Sequence, residues 1–460
     1  MAARHFLLCI LATVLHLTGS QVQCSTLDFR ENCDVDCEAA YRASLAIDMR
    51  TRVNVDLSND PFYDNPANLS DYAVGDLVKW QDLTGNQTAR IWTIPAGMSL
   101  SRFFYMTEDI DGKPIPATAF ALLPWSNPQG KENPFRTVVW AHGTAGYGRE
   151  CAPTNHRALY YEWEGPFVLA QAGYAVIAPD YAGQGSNIPQ GFMYESGALH
   201  AADVGYGLQA ARQALGRQLS DDWVVVGHSE GGLTAWRTNE REAKAEKKTG
   251  GLIGVVSVAP ALRPLKLIPE SFRRANGGPV GDVVSIFVIQ AISKLYPSIR
   301  VDDYVTDIVA SRIPLSNQGC LRTGGTIFGS LTEKQLYKNT SWLTHPDVVD
   351  WQERYNGAGV HELAAPMLVI QGTGDLLTYA ETMVEDFDAT CKAFPKSTAQ
   401  LFLYPEIGHD PAFQASQADY LPWIADRFNK VPISLGCSKK RIESATNHYS
   451  LTHQTWEGVI

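Results

Sequence analysis

Short, wholly apolar segments recur along this chain, and helix-patterned stretches separate several of them. They read TVVWAH (137–142), YAVIAPDY (174–181), WVVVGHS (223–229), LIGVVSVAP (252–260), PMLVIQG (366–372) and AQLFLYP (399–405). A strand with no polar side must be covered on both faces, which happens in parallel sheets flanked by crossover helices. Right-handed crossovers then predict a doubly wound α/β sheet. In such sheets ligands bind beyond the carboxyl ends of the strands. The residues just after each apolar run are therefore the ones to inspect. Upstream, two strand-like runs flank Asp111-Gly112 and predict a hairpin.

The alternation divides the 460 residues. Residues 1–20 have one arginine, an apolar run from Phe6 to Leu17, and then Gly19 and Ser20, the layout of a secretory signal. Residues 21–95 are rich in Asp, Asn and Pro and read as an extension packed on the main domain. Residues 96–260 and 366–460 form the two parts of the α/β core, and 261–365 add no obvious strand. That interval carries VGDVVSIFVIQAISKLYPSI (280–299), a helix with a wide apolar face. It fits either a buried core helix or a cap over an apolar site. A partly helical stretch, despite Gly165-Pro166, is expected in ALYYEWEGPFVLAQAG (158–173), and a helix in 196–216 with Ser196 as candidate cap and Gly216 near its end.

A net charge of -11 disfavours nucleic acid, and no later run is long enough to span a bilayer. Cysteines 24, 33, 37, 151, 320, 391 and 437 suit an oxidising compartment, although their pairing cannot be read from spacing. CDVDC (33–37) has a metal site as its rival reading, without a matching downstream pair. Sequons at Asn68, Asn86 and Asn339 are candidate glycan acceptors. The sequence thus predicts a secreted, extracellular protein.

VVVGHSEGG (224–232) places a serine between two glycines, after a β-branched strand and before a helix. A serine hydroxyl is a poor nucleophile unless it is exposed, rigid and served by a base. The strand-to-helix turn Gly-x-Ser-x-Gly supplies the first two, with Gly227 and Gly231 allowing close approach. Ser229 is therefore the expected nucleophile. The acid and base should follow later strands in that order. Asp375 follows PMLVIQG and His409 follows AQLFLYP. Asp180, His345, His361 and Asp410 are weaker candidates, and His228 is expected to pack under the turn. The oxyanion of a tetrahedral intermediate needs backbone donors. Glu230 N–H supplies one, and the backbone of Gly143 or Thr144, after TVVWAH, supplies the other; the choice between them stays open.

WAHGTAG, APDYAGQG, GHSEGG, QGTGD and GHD, in this order, resemble the fungal secretory lipase family of α/β-hydrolases. The resemblance implies an eight-stranded core, a cap after the sixth strand, and carboxylic ester hydrolysis through Ser229, Asp375 and His409 without a metal or organic cofactor. It also implies disulfides Cys151–Cys320 and Cys391–Cys437, leaving Cys24, Cys33 and Cys37 unassigned. The expected partner is an apolar ester, with a lipid–water interface a further option. The family also resembles esterases that deacylate secondary metabolites such as trichothecenes. A short-chain esterase is thus the alternative to a lipase, and a non-catalytic binding protein is the rival of another class.

Overall fold

A computed structural model describes residues 33–281, 283–446, 448 and 449. The expected signal segment and Cys24 lie outside the described residues.

Ten strands form one sheet: β1 (Leu77–Asp82), β2 (Met98–Glu108), β3 (Pro114–Pro124), β4 (Phe135–Ala141), β5 (Ala175–Pro179), β6 (Leu219–His228), β7 (Leu252–Val258), β8 (Met367–Gly372), β9 (Ala399–Tyr404) and β10 (Cys437–Arg441). Their order is β1-β2-β3-β5-β4-β6-β7-β8-β9-β10. The first three strands and their junction with β5 are antiparallel, and every pairing from β5 to β10 is parallel. The family resemblance implied an eight-stranded core. β2 to β9 are those eight, and β1 and β10 extend the two edges.

The central strands are buried along their inner length, as their lack of a polar face requires. Helices Gly197–Leu215 and Glu230–Glu242 cover one side. There Leu208, Leu233 and Trp236 pack with Val225 and Val255. On the other face Val224, Val226, Val256 and Ile370 pack with Phe413, Tyr420 and Ile424. Burying one such side chain is worth about 1.5–3 kcal/mol.

Two stretches gain detail over the sequence reading, and one expectation, the Ser196 cap, needs correction. The extension before residue 95 contains helix Val35–Thr51 and β1. Its Asp-rich pattern hid both; Asp34 caps that helix by accepting from Cys37 N–H at 2.9 Å. The partly helical stretch 158–173 is α-helical over Pro166–Gln171, as expected. Four residues before it, Leu159 to Glu162, have φ of 57, 42, 69 and 42°, which no right-handed helix allows. Ser196 stands at the start of its helix, but its side chain makes no cap hydrogen bond.

Between β7 and β8 the described residues hold helices and no strand. Helix Val284–Leu295 is buried from Ser285 to Ile292, in a cluster with Ile268, Phe328, Trp342 and Trp351. Its apolar face is therefore the core of this insertion. The insertion is fastened to the connection after β4 by Cys151–Cys320, across 169 residues of sequence. Cys391–Cys437 ties β10 to the helix preceding β9. Cys33 pairs with Cys37, which removes the metal reading of CDVDC.

Candidate active site

β6 ends at His228, and helix Glu230–Glu242 begins two residues later. Ser229 makes the reversal with φ 60° and ψ -122°, a conformation that costs on the order of 1–3 kcal/mol and persists only when over-determined. The surroundings do this. Ser229 N–H donates to Val258 O at 2.9 Å, and its carbonyl accepts from Leu233 N–H at 3.0 Å. A Cβ on Gly231 would lie 2.0 Å from Ala141 O, and one on Gly227 2.0 Å from Gly231 O. Both glycines are required by backbone contact, as their spacing predicts.

Asp375 and His409 arrive from the ends of β8 and β9, whose last residues Gly372 and Tyr404 are paired. His409 Nδ1 lies 2.8 Å from Asp375 Oδ2, and His409 Nε2 lies 2.8 Å from Ser229 Oγ. A carboxylate only accepts, so Nδ1 carries the proton and Nε2 is left to accept from the serine hydroxyl. Asp375 is 2 % exposed. It also accepts from Gln371 Nε2, Thr378 Oγ1, and the N–H groups of Leu377 and Thr378. Burial alone would raise its pKa, but the His409 charge and these donors hold it well below the carboxylate range. For His409, burial opposes the charge, yet the charge of Asp375 and their hydrogen bond carry its pKa above the ordinary 6.5. The three residues named from sequence thus meet in one chain of hydrogen bonds.

Glu230 stands at the first helical position, where its N–H has no partner within the helix. Opposite runs the loop after β4. Its successive carbonyls are all held: His142 O by Tyr181 O–H (2.9 Å), Gly143 O by His142 Nδ1 (2.7 Å), Thr144 O by Tyr160 O–H (2.6 Å), Ala145 O by Leu321 N–H (2.9 Å) and Gly146 O by Gln184 Nε2 (2.8 Å). In a trans peptide each carbonyl points away from the next N–H. Holding the carbonyls of His142 and Gly143 therefore fixes the N–H groups of Gly143 and Thr144. A Cβ on Gly143 would lie 2.1 Å from Tyr161 Oη and 2.9 Å from His228 O, so only glycine fits.

The Glu230 side chain turns inward. Burial pushes its pKa to about 8, with one N–H, from Glu195, at 3.1 Å. His200 stacks on Tyr181 at 4.2 Å, and burial lowers its pKa to about 3. His228 does lie beneath the turn, stacked on Phe413 at 5.7 Å. Asp180 organises a loop, accepting from Thr118 Oγ1 and from Thr154 N–H and Oγ1. His345 caps the helix at Pro346, and Asp410 is exposed. His361 lies in the stretch between the helices of the insertion and β8. Nitrogen and oxygen atoms of His228, His409 and Asp410 lie within 4.8 Å of one another. Both rings already use both nitrogens in hydrogen bonds, so none is spare for a metal.

Two cavities are lined by residues described above. One, of about 40 Å³, opens on Ser229 between Ala261, Leu267, Ile268, Val284 and Leu377. The other, of about 300 Å³, lies behind Tyr160 and Tyr161 and reaches Arg52 and Cys320, but not Ser229. The smaller cavity is the one that bears on chemistry at the serine.

The chain belongs to the alpha/beta hydrolase family, which it matches over residues 138–420, more than half its length. Its fold is similar to that of lipase A from Candida antarctica, with TM-score 0.67 and 15% identity over 86% of this chain and 91% of that one. The rice cell wall degrading esterase LipA from Xanthomonas oryzae gives a TM-score of 0.59 and 17% identity over 78% and 100%. A protein from Legionella pneumophila gives 0.62 and 15% over 78% and 100%. No curated protein matches in sequence. The fold is the one shared by these lipase and esterase structures.

Proposed function

We propose that the protein is a secreted serine hydrolase that cleaves carboxylic esters through an acyl-enzyme. The observation that carries this reading is the pair of 2.8 Å contacts joining Ser229, His409 and Asp375. Ser229 Oγ attacks the ester carbonyl while its proton passes to His409 Nε2. Asp375 stabilises the imidazolium that forms. The N–H groups of Glu230 and of Gly143 or Thr144 receive the oxyanion; losing one such donor costs on the order of 3 kcal/mol. The oxyanion collapses, and the C–O bond breaks as His409 protonates the departing alcohol. Water then adds to the acyl-enzyme with His409 again as base, and the acid leaves.

The size of the Ser229 cavity favours a short acyl group. About 40 Å³ holds on the order of three water-sized atoms. The apolar wall suits an acetyl to butyryl chain, so the small-ester reading is favoured over triglyceride. Secretion is supported by the first 20 residues, three disulfides, and the exposure of Asn68, Asn86 and Asn339. No helix among the described residues is long and apolar enough to cross a membrane. The order of motifs supports the finer kinship with fungal secretory lipases, and the insertion after the sixth core strand is read as their cap.

A series of p-nitrophenyl esters from acetate to palmitate tests both parts. Wild-type kcat/KM should peak at acetyl to butyryl, and Ser229→Ala should lose about 10⁴-fold or more. Undiminished turnover in Ser229→Ala would refute the nucleophile, and a palmitate optimum would refute the short acyl pocket.

A further inference from the structure

The run Leu159–Glu162 sets four consecutive non-glycine residues in left-handed backbone. Such a run persists only where neighbours over-determine it. His156 Nδ1 accepts from the N–H groups of both Ala158 and Tyr160, and Leu159 is fully buried. The product of this strain is that two adjacent tyrosines both reach inward. Neither lines the cavity at Ser229.

We infer that Tyr160 and Tyr161 are positioning residues for the hydrolysis, the first acting on the oxyanion loop and the second on the backbone of His409. The inference rests on the esterase reading above. Tyr160 O–H donates to Thr144 O at 2.6 Å, the one carbonyl of 142–146 held from this turn. Tyr161 Oη lies 2.8 Å from His228 Nδ1, and His228 Nε2 lies 3.1 Å from His409 O. Burial and the neighbouring His409 keep His228 neutral, with a pKa near 4. A carbonyl only accepts, so Nε2 must carry the single proton, and Nδ1 must accept from the tyrosine. The chain therefore has one direction: Tyr161 O–H to His228, and His228 N–H to the carbonyl of the general base. Tyr161 Oη also fills the space where Gly143 lacks a side chain, so the same ring backs the oxyanion loop. Removing a hydroxyl leaves its partner unpaired and the loop or the base free to drift, without touching the acyl cavity. A shift of about 1 Å in such a group costs about a hundredfold in rate.

The test is turnover per reactive serine in Tyr160→Phe and Tyr161→Phe, with p-nitrophenyl acetate as substrate and fluorophosphonate titration to completion counting the sites. Each variant should keep about one titratable serine per folded chain and a KM within about twofold of wild type. Its kcat per site should fall about 10- to 100-fold. A merely structural role would lower the number of sites and leave the rate per site unchanged. Each variant breaks a separate hydrogen bond, so Tyr160→Phe decides by itself if Tyr161→Phe does not fold. Wild-type kcat per site in the folded variants overturns this inference alone. A wild type that neither titrates nor turns over overturns the esterase reading, and this inference with it.

Discussion

The strand ends and the loops behind them serve one site by opposite means. At the ends of β6, β8 and β9, position comes from the sheet. Ladder pairs such as His228 with Val258, Val258 with Ile370, and Gly372 with Tyr404 bring the three ends level. Ser229, Asp375 and His409 then need only short side chains to meet. The loops at 142–146 and 156–165 have no ladder. The 142–146 backbone is held by the side chains of Tyr181, Gln184 and Tyr160 and by the backbone N–H of Leu321 from the insertion, and Arg157 by backbone bonds to Thr51 and Thr93. A sheet places residues by register, whereas these loops are placed by individual hydrogen bonds. Each mode should fail differently when altered.

The largest effect belongs to the strand ends. Asp375→Asn keeps the shape but offers an amide where His409 Nδ1–H needs an acceptor charge. It should lower kcat by about 10⁴, the size seen when a triad carboxylate becomes an amide, with little change in KM. Steady-state kinetics on a short-chain ester measures this, and a loss below tenfold would mean the register does not deliver the base. The loop substitutions at Tyr160 and Tyr161 should cost less, because each removes one of several restraints.

The smallest effect is on pH dependence. Only neutral His409 accepts the serine proton, so kcat/KM should rise with pH through its pKa. Because Asp375 raises that pKa above 6.5, the acidic limb should have its midpoint above 6.5, with about a tenfold loss per pH unit below it. In Asp375→Asn the residual activity should have its limb at lower pH. A wild-type midpoint below 6.5 would mean that the carboxylate does not govern the imidazole.

The same contrast explains what the sequence could disclose. Unbroken apolar runs announced β4 to β9, because strands buried on both faces tolerate no alternation. Strand ends are where an α/β sheet exposes residues, so Ser229, Asp375 and His409, which the structure brings together, could be named as candidates from their order. Gly143, Gly227 and Gly231 were legible as glycines after strands, and backbone contacts require all three. β1 was not legible, because its residues are only half-buried at the sheet's edge. Tyr160 and Tyr161 were hidden for another reason. ALYYEWEGP has helix-compatible composition, and nothing local signals four left-handed residues whose support is mostly tertiary. Gly165-Pro166 bars a continuous helix through 158–173 and limits the expected helix to part of it, but says nothing of the left-handed turn before it.

The convergence of serine, imidazole and carboxylate is tested most directly by treating the wild-type protein with a fluorophosphonate and locating the adduct by peptide mass spectrometry. One adduct per chain is expected, on Ser229, formed far more slowly in His409→Ala. No adduct, an adduct on another residue, or equal rates in that variant would contradict the account.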